Sequence, residues 1–192
     1  MSNVLKTYRN FFLAGLLKQG QTGAIVPSQR FLIAKMIAPI PENYHGQIIE
    51  LGAGSGALTL RLAAKCPDAQ ILSCEINQKL AQVCKDNIAI AGHDDRVVVV
   101  SKSAEQLLSE KSGHTEAKPD FIISGIPLGN LGTEKTQTFL EIICQMLVEG
   151  GMYIQFQHSL LDWKKVRAQF PKSRAVPAFF NFPPAVVYYA KK

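Results

Sequence analysis

The sequence predicts an α/β domain with a mostly parallel sheet and helices on both faces. Short runs of β-branched residues alternate with longer segments of helical periodicity, which is the order of strands joined by crossover helices. The first of these strands ends in a glycine turn that leads directly into a helix. The chain has 192 residues, of which 47% are hydrophobic and 19% charged. We therefore expect a single globular domain over residues 1–192.

The glycine turn is the most informative motif. Ile48 and Ile49 open a short strand that ends at Glu50, and the turn Gly-Ala-Gly-Ser-Gly occupies residues 52–56. A segment rich in alanine and leucine then predicts a helix from Ala57. Glycine permits positive φ angles and leaves space beside the backbone, while a helix N-terminus offers free N–H groups. The order of strand, glycine turn and helix therefore predicts a nucleotide-binding site.

A second acid strengthens this prediction. Residues 71–75 read as the next strand, which ends at Glu75. An acid about 20 residues beyond the glycines can accept hydrogen bonds from both ribose hydroxyls of a bound nucleotide. Glu50, placed just before the glycines, departs from the pattern of dinucleotide enzymes. Together the two acids and the glycines resemble the first two motifs of the class I S-adenosylmethionine-dependent methyltransferases; an α/β core with an ordinary glycine turn is the alternative.

That resemblance implies a fold, a cofactor and a set of cofactor contacts. The fold is a Rossmann-like sheet of seven strands in which only the last is antiparallel, and the cofactor is S-adenosylmethionine. The segment before the first strand would approach the methionine half of the cofactor. Ser103 replaces an aspartate that in related enzymes often binds the adenine amino group. The implied cofactor-binding residues are Pro27, Ser28, Glu50, Gly52, Ala53, Gly54, Gly56, Glu75, Ile76, Ser103 and Ala104.

Charge is concentrated at the two ends of the chain. The residues before Glu42 include five basic side chains and no acid, and the residues after Gly151 include seven basic side chains and one acid. Residues 3–18 predict a basic amphipathic helix rich in phenylalanine, which is typical of a helix in a membrane interface, although its apolar face could instead pack on the sheet. An anionic membrane and nucleic acid both fit this charge distribution, and solvated surface lysines explain the C-terminal set equally well.

The remaining elements follow from periodicity and from turn residues. Ser28 can cap a helix over residues 29–37. The four consecutive valines at 97–100 indicate a parallel strand buried on both faces, and residues 111–118 are expected to form a polar loop. Further helices are predicted over residues 57–65, 78–91, 133–148 and 160–170. Further strands are predicted over residues 120–124, 152–157, 176–180 and 186–190.

The second informative segment is Ser124–Leu128, with the sequence Ser-Gly-Ile-Pro-Leu, which follows the fourth strand. Its position at the carboxyl edge of the sheet places it in the same crevice as the glycine turn. Enzymes that methylate exocyclic base amines carry an Asn or Asp here and an aromatic ring that stacks on the base, and this chain has neither. Together with residues 22–28 and 181–188, the segment resembles the soluble bacterial phospholipid N-methyltransferases, which convert phosphatidylethanolamine stepwise toward phosphatidylcholine.

This narrower resemblance implies methylation of phosphatidylethanolamine and its partly methylated forms, with residues 1–40 as a lid and a contact with an anionic membrane. The alternatives are a ribosomal RNA adenine N6-methyltransferase, another nucleic-acid or small-molecule methyltransferase, and a non-catalytic cofactor-fold protein. Methyl transfer from a sulfonium depends on positioning and on exclusion of water, so no metal is expected. The candidates for contact with the reacting amine are Ser124, Gly125, Pro127 and Tyr153. His158 and Glu141 are further candidate proton acceptors, with core packing as the alternative role.

The cysteines and the hydropathy pattern indicate where in the cell the protein is expected. The four cysteines lie apart and form no C-x-x-C pair, so neither a zinc site nor a disulfide framework is predicted. No stretch reaches the 18 or so apolar residues that a membrane span needs, and the N-terminus does not have the pattern of a secretory signal. We therefore expect a cytoplasmic protein attached peripherally to the inner face of the cell membrane.

Overall fold

The computed structural model describes residues 27–112, 118–179 and 184–192. The helix predicted over residues 3–18 lies outside these residues. The strands are β1 (Gln47–Leu51), β2 (Gln70–Cys74), β3 (Val97–Val100), β4 (Phe121–Ser124), β5 (Met152–Gln157), β6 (Lys172–Ala178) and β7 (Ala185–Lys191). The helices are α1 (Pro27–Ile37), α2 (Ala57–Lys65), α3 (Gln78–Ile90), α4 (Ala104–Ser112), α5 (Thr133–Met146) and α6 (Trp163–Gln169), with a short 3₁₀ turn at Leu128–Asn130.

The seven strands form one sheet in the order β3-β2-β1-β4-β5-β7-β6. Strands β1 to β5 pair in parallel, and β7 is antiparallel to both of its neighbours, β5 and β6. This confirms the predicted sheet, in which only the last strand runs against the others. The chain crosses from β1 to β2 on one side and later returns to β4 on the other. Such a switch point opens a crevice at the carboxyl edge of the sheet, where ligands of open α/β folds bind.

Helices cover both faces of the sheet, as predicted. One apolar cluster joins α1, α2 and α3 to one face through residues such as Ile48, Ile71 and Ile154. The other joins α4, α5 and α6 to the opposite face and contains Leu51 and Tyr153. Strand β5 contributes to both clusters, so every residue of this strand after Met152 is buried. Within the described part of the chain, no helix is long and apolar enough to cross a bilayer.

The prediction that the valine strand is buried on both faces is wrong. β3 lies at the edge of the sheet, where Val97 and Val99 are buried but Val98 is 55% exposed. Helix α4 also extends into residues that were expected to form a loop. It begins with a capping box in which Ser103 Oγ accepts from the Gln106 N–H and Gln106 Oε1 accepts from the Ser103 N–H, both at 3.1 Å.

Several boundaries also differ from the predictions, among them the starts of α1, α6 and β6. α1 begins at Pro27, a residue type favoured in the first turn, so Ser28 lies inside the helix rather than before it. β6 begins at Lys172, four residues before the predicted start, because its whole length pairs with β7.

Candidate functional site

The glycine turn lies at the carboxyl edge between β1 and α2. Gly52, Gly54 and Gly56 have φ angles of 84°, 57° and 92°, in the left-handed region that favours glycine. A Cβ on Gly56 would lie 2.8 Å from Cys84 Sγ, so this position has no space for a side chain. The N–H groups of Gly52 and Ala53 both donate to the Cys74 carbonyl at 2.9 Å. These bonds hold the turn against the end of β2.

Glu75 connects the end of β2 to this turn. Its Oε2 accepts from the Gly54 N–H and its Oε1 from the Asn77 N–H, each at 2.9 Å. Asn77 in turn caps α3 through its side chain. A carboxylate oxygen can accept more than one hydrogen bond, so both oxygens can also accept from the hydroxyls of a ligand. The next residue, Ile76, is exposed and provides an apolar surface beside the carboxylate.

Glu50 is fully buried beneath the turn. Its Oε2 accepts hydrogen bonds from Thr59 Oγ1 at 2.6 Å and from Ser73 Oγ at 2.7 Å. Burial raises the pKa of the Glu50 carboxyl, and the two hydroxyl donors offset part of that effect. Its Oε1 has no partner among the described residues, although buried polar atoms are normally paired. Glu50 therefore joins β1 to β2 and α2 and keeps one oxygen that fits a donor on a bound ligand.

The other predicted cofactor residues lie on neighbouring elements. Ser103 and Ala104 form the start of α4 directly after β3, and Ala104 is buried. The Ser103 hydroxyl oxygen accepts the capping bond from Gln106. Pro27 and Ser28 form the first turn of α1. The structure therefore brings Glu50, the glycines and Glu75 together around one turn, with Ser103 at the end of another strand of the same parallel set.

The acceptor segment, residues 124–128, lies directly against the glycine turn. The Gly125 N–H donates to the Leu51 carbonyl at 3.0 Å, and the Ile126 N–H donates to Ser124 Oγ at 3.2 Å. A Cβ on Gly52 would lie 3.1 Å from the Ile126 side chain. The two loops leave adjacent strands at the switch point and touch there. A ligand in the crevice would therefore contact both.

The carbonyl groups of this segment differ in their hydrogen bonds. The Ile126 carbonyl accepts from Gln155 Nε2 at 2.9 Å. The Pro127 carbonyl accepts from the Asn130 N–H at 3.0 Å, and the Leu128 carbonyl accepts from Leu131 and from Thr136. Among the described residues, the Gly125 carbonyl has no donor. Of the carbonyls of residues 125–128, it is the one with both lone pairs available for an incoming amine.

The three candidate proton acceptors, Tyr153, His158 and Glu141, do not lie together at one site. Tyr153 is fully buried, stacks on Phe170 and donates its hydroxyl to Gln155 Oε1, and burial raises the pKa of its phenol well above the usual range. His158 Nδ1 lies 3.0 Å from the Pro184 carbonyl oxygen. Glu141 accepts from Gln137 in an exposed bond on α5. Tyr153 belongs to the apolar cluster on one face of the sheet, and its role in contact with the amine stays a prediction.

Comparison with known proteins identifies the family. Residues 48–151, more than half of the chain, match the family model described as a methyltransferase domain. The chain therefore belongs to the class I S-adenosylmethionine-dependent methyltransferases, and S-adenosylmethionine is its cofactor. The glycine turn, the Glu50 oxygen that has no partner among the described residues and the further hydrogen-bonding capacity of the Glu75 carboxylate fit such a cofactor, although the individual contacts stay predictions.

Individual relatives extend this result. An ornithine lipid N-methyltransferase of Singulisphaera acidiphila is 25% identical over 183 residues, which cover 94% of each chain. Ribosomal RNA small subunit methyltransferase C of Mannheimia succiniciproducens is 24% identical over 128 residues, 66% of this chain and 36% of that protein. The structure of an O-methyltransferase from Bacillus cereus in complex with SAH matches 97% of this chain and 91% of its own with a TM-score of 0.69, at 16% identity. This last similarity supports the fold.

Replacing Glu75 tests the predicted cofactor contact. The Glu75→Ala variant should bind S-adenosylhomocysteine more weakly by roughly 2 to 3 kcal/mol, because it loses a charge-assisted pair of hydrogen bonds. Calorimetric titration measures the loss, and Glu42→Ala, which removes an exposed acid between α1 and β1, is the matched control. Unchanged affinity in a folded Glu75→Ala protein would remove Glu75 from the cofactor site.

The raised pKa of Glu50 predicts a pH-dependent stability. Because the folded protein holds this proton more tightly than the unfolded chain, the free energy of unfolding should fall as the pH rises above the usual carboxyl range. We expect Glu50→Gln to remove this contribution, so that wild type loses stability relative to the variant as the pH rises above the usual carboxyl pKa of about 4.3. Urea unfolding measures both profiles, with the exposed Glu42→Gln as control. Parallel profiles for wild type and Glu50→Gln would contradict the expectation.

Proposed function

We propose that this methyltransferase transfers methyl groups to the head-group amine of a membrane lipid, with phosphatidylethanolamine and its partly methylated forms as substrates. The observation that carries the proposal is the chemistry of the acceptor segment. Ser124 is fully buried and its hydroxyl oxygen accepts from Ile126, and Leu128 is buried in the core. The segment therefore offers neither a carboxamide for an adenine amine nor a ring for stacking on a base. It offers instead the Gly125 carbonyl, which has no donor among the described residues, beside an apolar Ile126 side chain.

The geometry supports a simple displacement. Bound S-adenosylmethionine supplies a sulfonium methyl group. By analogy with lysine, a lipid ammonium has a pKa of about 10, so it must lose a proton to solvent before its nitrogen can attack. The carbon–nitrogen bond then forms as the carbon–sulfur bond breaks, and S-adenosylhomocysteine is released. In this scheme the Gly125 carbonyl accepts a hydrogen bond from an N–H of the primary or monomethylated amine and so orients the nitrogen lone pair toward the methyl group; the chain contributes position rather than proton transfer.

The surface around the crevice also suits a lipid substrate. Leu160, Leu161 and Phe179 are 59%, 74% and 77% exposed. Leu160 and Leu161 follow β5 and Phe179 follows β6, so all three lie at the carboxyl edge where the lipid must enter. Lys164 and Arg167 on α6 are exposed and basic. Apolar groups flanked by basic side chains favour binding to an anionic bilayer, in addition to the contact predicted for residues 1–40.

Methylation of RNA is the second candidate, because the chain is also similar to ribosomal RNA methyltransferase C and both of its ends are basic. That similarity covers 36% of the RNA enzyme, whereas the similarity to the lipid enzyme covers 94% of both chains. The extent of the match therefore favours a lipid. Ornithine lipid and phosphatidylethanolamine share a primary alkyl amine, so the same segment would bind either.

A labelling experiment tests the substrate class. The purified protein is incubated with radiolabelled S-adenosylmethionine and vesicles of phosphatidylethanolamine, vesicles of ornithine lipid, or ribosomal RNA, with Glu75→Ala as a cofactor-binding control. We expect label in phosphatidylethanolamine and far less in RNA, because the acceptor segment cannot stack on a base. Label confined to ornithine lipid would contradict the predicted head group, and label confined to RNA would contradict the lipid proposal as a whole.

Vesicle sedimentation tests the contact surface. The protein should sediment with phosphatidylglycerol vesicles, weakly with phosphatidylcholine vesicles, and less as salt is added. Replacing Leu160 and Leu161 together by Ser should reduce binding because it removes apolar area at the carboxyl edge. Ile90→Ser is the matched control, since Ile90 is 84% exposed at the end of α3, at the opposite edge. Equal sedimentation of the double variant and wild type would exclude this edge from the contact.

A further inference from the structure

Gln155 is a fully buried amide in the middle of β5. Its Nε2 donates to the Ile126 carbonyl at 2.9 Å and to the Phe156 carbonyl at 2.6 Å, and its Oε1 accepts from the Tyr153 hydroxyl. Both N–H groups and the carbonyl oxygen are therefore used. In the register of the sheet, Gln155 lies between Ser124 on β4 and Tyr188 on β7, directly behind the acceptor segment.

The surroundings of this amide are apolar. Tyr153, Tyr188, Phe170 and Leu128 belong to the core cluster on the same face of the sheet. A buried amide in such a place contributes little net stability, since replacing it and its partners by apolar groups of similar shape is often nearly neutral. A fully satisfied buried network does, however, impose one arrangement on the groups it joins. Gln155 is therefore better suited to orienting the acceptor segment than to stabilising the core.

Only one orientation of the Gln155 amide satisfies the hydrogen bonds around it. With the amide turned over, Oε1 would face two carbonyl oxygens, which cannot donate a hydrogen bond. The Tyr153 hydroxyl completes the arrangement by donating to Oε1 on the other side. Tyr153 thus acts on the acceptor segment through Gln155, and its high phenol pKa keeps this donor protonated.

Two successive peptide groups of the acceptor segment are held in this way. Ser124 Oγ accepts from the Ile126 N–H, which belongs to the same peptide group as the Gly125 carbonyl. Gln155 holds the next peptide group through the Ile126 carbonyl. Glycine is flexible, so the Gly125 carbonyl would otherwise sample several directions. With both bonds in place, its direction is set.

We infer that Gln155 is a positioning residue, which holds the Ile126 carbonyl so that the neighbouring Gly125 carbonyl faces the lipid amine. The inference rests on the proposed function of the acceptor segment. It also assigns a positioning role to Tyr153, which acts on the segment through its hydrogen bond to Gln155. Neither residue touches the reacting atoms in this scheme.

Kinetics of isosteric variants test the inference. Gln155→Leu should lower kcat roughly tenfold or more and leave the affinity for S-adenosylhomocysteine unchanged, because misplacement of a reacting group affects the chemical step. Tyr153→Phe should lower kcat less, and the double variant should be about as slow as Gln155→Leu alone, because the two residues act through one network. Phe170→Leu is the matched control, since it loosens packing against Tyr153 without removing a hydrogen bond to the segment. Equal losses of kcat in Phe170→Leu and Gln155→Leu would reduce the role to core packing and overturn the inference.

Hydrogen exchange, followed by NMR on the cofactor-free protein, gives a readout that does not depend on the substrate. In Gln155→Leu the Ile126 amide should exchange faster, whereas the Gly54 amide, which is bonded to Glu75, should not change. Unchanged exchange at Ile126 would overturn the inference whatever the substrate is. If wild type methylates no lipid, the proposed function fails, and the exchange result still decides whether Gln155 orders the segment.

Discussion

The contact between the glycine turn and the acceptor segment is the constraint on which the site depends. Both loops leave adjacent parallel strands at the point where the strand order reverses. Gly52 has no side chain, and the Ile126 side chain lies next to it. A Cβ added to Gly52 would lie 3.1 Å from the Ile126 side chain. The Gly125 N–H is in turn bonded to Leu51, at the end of the strand that carries the turn. In the proposed function, a methyl donor held by one loop would therefore face an acceptor held by the other.

The two acids beside the turn have different physical roles. Glu75 is largely buried and accepts from two backbone N–H groups, and each of its carboxylate oxygens can still accept a further hydrogen bond. Glu50 is enclosed, and burial disfavours its charged form. Its bonds to Thr59 and Ser73 join the turn to the helix and strand that follow. Glu50 therefore supports the turn from within the core, whereas Glu75 is the acid that we expect to bind the cofactor.

The part of the site that follows from local order could be predicted from the sequence. Strand, glycine turn, helix and a second acid are consecutive features, and the structure brings Glu50, the glycines and Glu75 together. The burial of β3 could not be read from its four valines, because it depends on the position of the strand in the sheet. The contact of Gln155 with Ile126 depends on the register of two strands. Helix α4 could have been predicted, since Ser103 and Gln106 form a recognisable capping pair.

The acceptor segment shows why similarity of fold does not determine the substrate. The chain is similar both to a relative named for a ribosomal RNA substrate and to one named for a lipid, so membership of the family alone does not decide the acceptor. In the proposed function, the groups that meet the acceptor are the Gly125 carbonyl, which has no donor among the described residues, a buried hydroxyl and apolar side chains. These groups are the basis of the proposal that the acceptor is a small alkyl amine.

A crystal structure with S-adenosylhomocysteine and a short-chain phosphatidylethanolamine tests this account most directly. The account predicts the lipid nitrogen within hydrogen-bonding distance of the Gly125 carbonyl oxygen and in line with the sulfur of the cofactor. A lipid nitrogen bound elsewhere, with the Gly125 carbonyl facing only solvent or protein, would contradict it.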